Sequence, residues 1–277
     1  QGLAGSSWYQ KGWSRRDPSF AVGPLRDEAQ WKAFAARNGR MAATMDAEIP
    51  GGLEPRAPRA LVADLAPEAG ARETARSLWE LTTRRGRWSY EAQPDFFTSD
   101  LIGDFASARH QQGGVLAREK SWDAAAEHLL GAWSMHWLIP EPALMLGFIE
   151  ISRGRLEAAA SYYALSRVLN ENLRALAEEY SSLPELKAQL RRGGAEGRLH
   201  EGVVAERRGD RAAAEDHYRA SLALTPLAQA HFNIAVLYWD RDWGVVEREL
   251  GEALRLEPGN PEALKYLAMA MAKRARK

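Results

Sequence analysis

The sequence contains no cysteine. Disulfides, thiolate nucleophiles and cysteine-bound metals are therefore excluded from its chemistry. Lysine is scarce as well. Lys11, Lys32, Lys120, Lys187, Lys265, Lys273 and Lys277 are the full set, so arginine carries most of the 37 positive charges, a bias that fits genomic base composition before function. There is no net charge, because 37 acidic side chains balance the basic ones. That balance argues against a strongly electrostatic partner such as duplex nucleic acid, and the short basic spots at Arg84, Arg85 and Arg87 or Arg191 and Arg192 read as solvated faces. No apolar run approaches the roughly 18 residues that a membrane-spanning helix needs. The chain also lacks an initiator methionine and starts at Gln1. The expectation is a mature form or a domain of something longer, soluble in either cytoplasm or periplasm.

Catalytic signatures are missing too. The sequence holds no H-E-x-x-H, no G-x-x-x-x-G-K-[ST], no G-x-G-x-x-G and no G-x-S-x-G. Six histidines occur: His110, His128, His136, His200, His217 and His231. His200 and Glu201 are adjacent and so point to different sides of a helix, while His128 and His217 recur at matching phase, which is repeat inheritance rather than a metal cluster. Acidic neighbours such as Glu178 and Glu179 fit any helical surface. The reading is a chain with no catalytic site, cofactor or metal, one that binds other molecules rather than transforming them.

What is present is periodicity. Hydrophobic residues make up 45% of the chain, enough for a sizeable core. Gly113 and Gly147 are 34 residues apart, and so are Ala125 and Ala159. Bulky residues precede the alanines (Trp122, Leu156) and follow them (Leu129, Tyr163), and small ones come next (Ala132, Ser166). The pattern returns with Gly202, Ala214, Tyr218, Ser221 and Pro226, then with Ala235, Trp243, Val246, Leu250, Ala253 and Pro258, and a last half-unit has Leu267 and Ala268. A small residue on each helix of a pair lets the two approach closely, and bulky residues fill the groove between them. One pair cannot bury its apolar side alone, so neighbours stack.

This pattern resembles the tetratricopeptide repeat family, whose unit is about 34 residues long, with small residues near positions 8, 20 and 27 and a proline near 32. The resemblance covers about 60% of the chain. It implies an all-α fold, a right-handed α-solenoid of helix pairs, with units at 106–139, 140–173, 195–227 and 228–260 and a closing helix at 261–277. The sequence departs from the pattern at several points. Trp137 and Glu171 stand where proline is common, Val246 replaces the usual alanine, and the turn Asp240-Arg241-Asp242-Trp243 is one residue short. Residues 174–194 are extra. Leu173, Leu176 and Tyr180 continue the preceding helix; Pro184 interrupts it; Leu186 and Leu190 suggest one short inserted helix that Gly193 and Gly194 end.

Residues 1–104 show no such period, and the reading there is a mainly helical, non-repeat region that caps the solenoid 105–277. Trp8, Tyr9, Trp13 and Phe20 pin an irregular start. Asp27 to Glu48 is helical in pattern, 49–59 reads as a loop or domain link, Leu61 to Leu65 as a short helix, and 67–83 as a further helix. Asp95 to Asp104 joins the repeats, and Trp79, Trp88, Phe96 and Phe97 cover the first apolar face.

In the tetratricopeptide family the first helix of each pair lines the concave face. Carried onto this sequence, the resemblance nominates His110 and Arg118 in unit one, Leu144, Phe148 and Ile151 in unit two, Leu199 and Arg207 in unit three, Phe232 and Trp239 in unit four, and Lys265 and Met269 in the closing helix. Glu141, Val203, Glu206, Val236, Asp240 and Lys273 share the same positions. An apolar, aromatic groove with charged rims suits an extended peptide or an amphipathic helix. Phe148, Phe232 and Trp239 fit equally well as core. The expected function is a non-enzymatic scaffold or adaptor that binds a protein or peptide partner, with no nucleic acid and no membrane span. Two alternatives stand beside it: a soluble C-terminal domain of a larger bacterial membrane protein such as a multi-span glycosyltransferase, and a self-assembling structural repeat.

Overall fold

The computed structural model describes Ala29, residues 41–44, 56–59 and 62–65, and residues 96–274. Two compact units divide it, residues 1–115 with 134–136 and residues 116–133 with 137–277.

In the first unit, β1 (Met41–Thr44), β2 (Arg56–Arg59) and β3 (Val62–Leu65) form an antiparallel sheet of order β1-β3-β2. Met41 faces Leu65 and Thr44 faces Val62 across one seam; Arg56 faces Leu65 and Arg59 faces Val62 across the other. β2 is an edge strand, which is where Pro58, with no N–H to donate, is tolerated. These strands stand at 41–44 inside the helix expected over 27–48, at the end of the loop expected over 49–59, and in place of the short helix expected at 61–65, and the mainly helical reading of 1–104 is corrected at those residues. Met-Ala-Ala-Thr and Val-Ala-Asp-Leu are short enough that pairing with a neighbouring strand overrides their local preference. The expectations for 1–25 and 67–83, and for Trp79 and Trp88, lie outside the described residues, as do the side chains of Phe96 and Phe97.

The helices that follow are α1 (Phe96–Arg118), α2 (Trp122–Met135), α3 (Glu141–Ser152), α4 (Leu156–Tyr180), α5 (Pro184–Arg207), α6 (Arg211–Leu224), α7 (Ala228–Leu237), α8 (Trp243–Leu256) and α9 (Pro261–Arg274). Local chemistry sets many of their starts. Pro184 and Pro261 open α5 and α9, where a missing N–H costs nothing. The Asp210 carboxylate accepts from Ala213 N at 3.0 Å, Asp242 from Gly244 N at 2.9 Å, and Asn260 Oδ1 from Ala263 N at 3.1 Å. From α3 to α9 each helix packs on the next.

The nesting inside three successive pairs follows one rule of size. A Cβ built on Gly147 of α3 would stand 2.5 Å from Cε1 of Tyr163 on α4, and one on Gly202 of α5 would stand 2.5 Å from Cε1 of Tyr218 on α6. Both rings are fully buried. In the next pair the notch is Ala235 and the facing bulky residue is Leu250, both in one buried cluster with Val246. The larger notch residue thus meets the smaller knob. A second device repeats as well. Ser166 Oγ donates to the Pro140 carbonyl at 3.0 Å, and Ser221 Oγ donates to the Ala195 carbonyl at 2.7 Å; both bonds are buried. Ser166 ties α4 back to the start of α3, and Ser221 ties α6 to the middle of the longer α5. The helical solenoid is therefore carried by contacts that recur in register.

The turns are equally regular. Gly154 and Gly209 take φ of +76° and +82° at the sharp bend inside two pairs; Lys120 (+60°) and Asp240 (+62°) hold that place in the pairs before and after. Only glycine adopts this left-handed conformation without steric cost.

The extra residues are placed differently from expectation. α4 does run on to Tyr180, but Pro184–Arg207 is a single helix, so there is no separate inserted helix and Gly193-Gly194 does not end one. Both glycines sit inside α5 because Asn170 of α4 crosses there. A Cβ on Gly194 would lie 2.7 Å from Asn170 Oδ1 and 3.3 Å from Leu224 Cδ1. The two long helices make an antiparallel arm, stapled where Glu178 pairs with Lys187 at 3.3 Å and with Arg191 at 2.6 Å. Leu176, Tyr180 and Leu183 are exposed at its tip.

Candidate functional site

The nominated groove residues sort into four environments. Ile151 and Leu199 are buried: Ile151 packs with Ala159, Tyr163 and Val204, and Leu199 with Tyr218 and Ile234. Leu144 is half-buried against the Ile151 cluster. Phe148, 43% exposed, meets Trp122 edge-to-face with centroids 6.2 Å apart. Arg207 donates Nη1 to the Ile151 carbonyl at 3.2 Å, which anchors α5 to the end of α3. Phe232 and Trp239 are half-buried at the far end, while Lys265, Met269 and Arg118 are exposed. His110 lies in the first unit, half-buried, and burial pushes its pKa below the usual histidine value.

Between α5 and α7 the surface opens into a cavity of about 490 Å³ lined by Leu199, His200, Val203, Glu206, Arg207, Gln229 and Asn233. The sequence reading found the α5 side of this cavity through Leu199, Val203, Glu206 and Arg207. It missed His200, Gln229 and Asn233, because nothing in the spacing of a lone histidine or of two amides marks a cavity wall. Leu199 and Val203 make the wall apolar. The Arg207 guanidinium adds a cation, and the Glu206 carboxylate accepts from Tyr218 Oη at 2.6 Å. The amides of Gln229 and Asn233 bond to each other at 2.8 Å and keep further donors and acceptors for a ligand.

His200 stacks on Tyr163 with ring centroids 5.1 Å apart and planes 9° from parallel. Burial lowers the His200 pKa, opposed by Glu196, so the ring is neutral near pH 7. Burial also pushes the Tyr163 hydroxyl upward, against the pull of Arg207, and its Oη finds no hydrogen-bond partner among the described residues. The Tyr218 hydroxyl is raised by burial and by its bond to Glu206. These phenols stay protonated and serve packing.

At the far end, four aromatic side chains converge. Trp239 meets Trp243 at 5.0 Å and 77°, and Tyr266 at 5.3 Å and 69°; Phe232 meets Tyr266 at 5.2 Å. Lys273 Nζ lies 5.4 Å from the centroids of both indoles and 2.9 Å from Asp240 Oδ1. The sequence read Trp243 only as a bulky repeat position; its place four residues after Trp239, across a short turn, was the available signal.

Among the described residues no group of three or more His, Asp or Glu is placed to hold a metal ion, and no helix is long and apolar enough to cross a membrane.

No protein-family model matches the sequence, and no curated protein matches it. Solved structures do. The APC/C hetero-tetramer Cut9–Hcn1 aligns at 20% identity over 62% of this chain and 37% of that chain, with a TM-score of 0.34. A thermophilic TPR protein of Thermus thermophilus aligns at 18% identity over 60% of this chain and 99% of that one, with a TM-score of 0.37. The C-terminal part of a TPR repeat-containing protein from Cytophaga hutchinsonii aligns at 13% identity over 72% of this chain and 86% of that one, with a TM-score of 0.26. The chain thus spans little more than a third of the first of these. Two of the three are named as TPR proteins; the recurring notches and turns of this chain are read from its own residues.

Proposed function

We propose that this chain is a protein-interaction module that binds an extended peptide segment of a partner along the faces of α3, α5, α7 and α9, and that it performs no chemistry on it. The observation that supports this most is the cavity between α5 and α7. Its volume falls in the range of ligand pockets, and its lining couples apolar wall residues to a few convergent polar groups. Phe148 adds an exposed aromatic anchor on α3. A side chain of the partner would enter the cavity over Leu199 and Val203 while its backbone bonds to Gln229 and Asn233. Affinity for peptides selected on the wild-type chain is expected to fall about tenfold or more in Phe148→Ala/Asn233→Ala, measured by fluorescence anisotropy. Binding that survives both substitutions would place the interaction elsewhere.

A second reading is self-assembly, favoured by the outer face of α9. Leu264 and Met271 are 50% and 59% exposed there, and Ala268, at the notch phase of Gly202 and Ala235, is exposed with no knob over it. Light scattering over a range of concentrations distinguishes the two; a mass that stays monomeric removes the second reading.

A further inference from the structure

The geometry points to a binding site for an alkylammonium group, the side chain of a lysine on a partner protein, formed by Trp239, Trp243 and Asp240 and occupied in this chain by Lys273 as a displaceable plug. The two indoles stand at 77° to one another, and an ammonium 5.4 Å from both centroids sits in the corner they make. Ring faces attract a cation within about 6 Å, and the Asp240 carboxylate adds a charge-assisted bond at 2.9 Å. Two ring walls and one anion suit a compact ammonium better than a planar guanidinium, which stacks flat on one ring.

Three features set this corner apart from ordinary packing. First, the contact joins distant parts of the chain: the Asp240 carboxylate, in the turn after α7, meets an ammonium 33 residues later. Second, the site is open: Asp240 and Lys273 side chains are 62% and 44% exposed, while Trp243 forms the buried wall. Third, the plug sits in the last turn of α9, where the backbone carbonyls have no helical partners and opening is easiest. The exchange is non-covalent: one ammonium leaves as another enters. The site stands independently of the groove reading, because a small probe can fill it.

The test is a titration of tetramethylammonium, and separately of Nα-acetyl-lysine methylamide and its Nζ-trimethylated form, into the full chain. The indole N–H resonances of Trp239 and Trp243 report binding. A tethered plug competes at an effective concentration of about millimolar or more, so Lys273→Ala is expected to bind at least about tenfold more tightly than wild type. Adding Asp240→Asn to that variant is expected to weaken binding several-fold, and adding Trp239→Ala to abolish it. Tighter binding of the trimethylated form assigns the site to a methylated lysine; tighter binding of the unmodified form assigns it to a free one. If Lys273→Ala loses helicity by circular dichroism, Lys273→Gln, which keeps the aliphatic stem, gives the same comparison. The proposal is overturned if neither indole moves in the lysine variants, if wild type and variants titrate alike, or if Trp239→Ala leaves binding unchanged.

Discussion

Replacing Gly202 with alanine is expected to destabilise the protein, although alanine is the better helix former. The added Cβ would stand 2.5 Å from Cε1, 2.6 Å from Cδ1 and 3.1 Å from Cζ of Tyr218, a ring with no exposed surface and therefore no free direction to move. Forcing an extra carbon into a filled site costs roughly 2–3 kcal/mol, against about 1 kcal/mol gained from helix propensity, so the net loss is about 1–2 kcal/mol. At about 2–4 °C per kcal/mol for a unit of this size, Tm falls by about 2–8 °C. Gly251, in α8, is the control. A Cβ there meets nothing within 4 Å, so Gly251→Ala is expected to stabilise by about 1 kcal/mol. The third variant is the double change Gly202→Ala/Tyr218→Leu, which copies the Ala235–Leu250 pair. The single change Tyr218→Leu loses the 2.6 Å bond to Glu206, so the double mutant does not return to wild type. Its loss is nonetheless smaller than the sum of the two singles, by about 0.5–3 kcal/mol of coupling. Thermal and urea unfolding followed by circular dichroism read the four variants against wild type. Equal stabilisation by Gly202→Ala and Gly251→Ala, or additive single changes, would refute the notch-and-knob account.

Other outcomes follow from single contacts. Gly209→Ala adds a Cβ with nothing within 4 Å but at φ +82°, so it isolates backbone strain; a loss of about 1 kcal/mol is expected in urea melts, and no loss would mean the turn relaxes. Ser221→Ala removes the buried 2.7 Å bond to the Ala195 carbonyl, which keeps its place in the α5 helix ladder, at a cost of about 0.5–1.5 kcal/mol in the same assay; a neutral result would mean the serine bond adds nothing beyond that ladder. Burial holds the folded pKa of His200 below the unfolded value of 6.5, so its contribution to stability is full above pH 6.5 and is lost as pH falls through the folded pKa. Tm of wild type is therefore expected to decline below pH 6.5 more steeply than that of His200→Phe, and parallel profiles would contradict this. For Tyr163 and Tyr218 the sign is reversed. Their folded pKa values are raised above 10.0, so stability is full below pH 10 and is lost at more alkaline pH; Tyr163→Phe is expected to flatten that alkaline decline, and an unchanged profile would count against it.

The repeat phase was legible because it is written in residue size. Gly147, Gly202 and Ala235 mark one helix, and Tyr163, Tyr218 and Leu250 mark its partner, at spacings that only helix pairs explain. Misreadings arose where a residue's partner lay far away in sequence. Gly193-Gly194 looks like a helix stop in isolation; Asn170, more than twenty residues earlier, is the reason both are glycine within a continuous helix. The strands at 41–44 and 62–65 carry no helix-breaking signal of their own, Pro58 in 56–59 marks a break but not a strand, and only mutual pairing reveals the sheet. In the groove, sequence position could nominate α3, α5 and α7 but could not separate wall from core. Ile151 and Leu199 turn inward to buried clusters, whereas Gln229 and Asn233, overlooked, line the opening. The Lys273 corner needed a contact over 33 residues from Asp240, which no local pattern announces.

Nesting of the helix pairs requires tyrosine rings lying directly over glycine backbones, and proton NMR reads that placement directly. The α-protons of Gly147 and Gly202 are expected to be shifted strongly by the ring currents of Tyr163 and Tyr218, with nuclear Overhauser contacts to those ring protons. Glycine shifts in the unperturbed helical range, with no contact to either ring, would contradict the nested helix pairs and the groove built upon them.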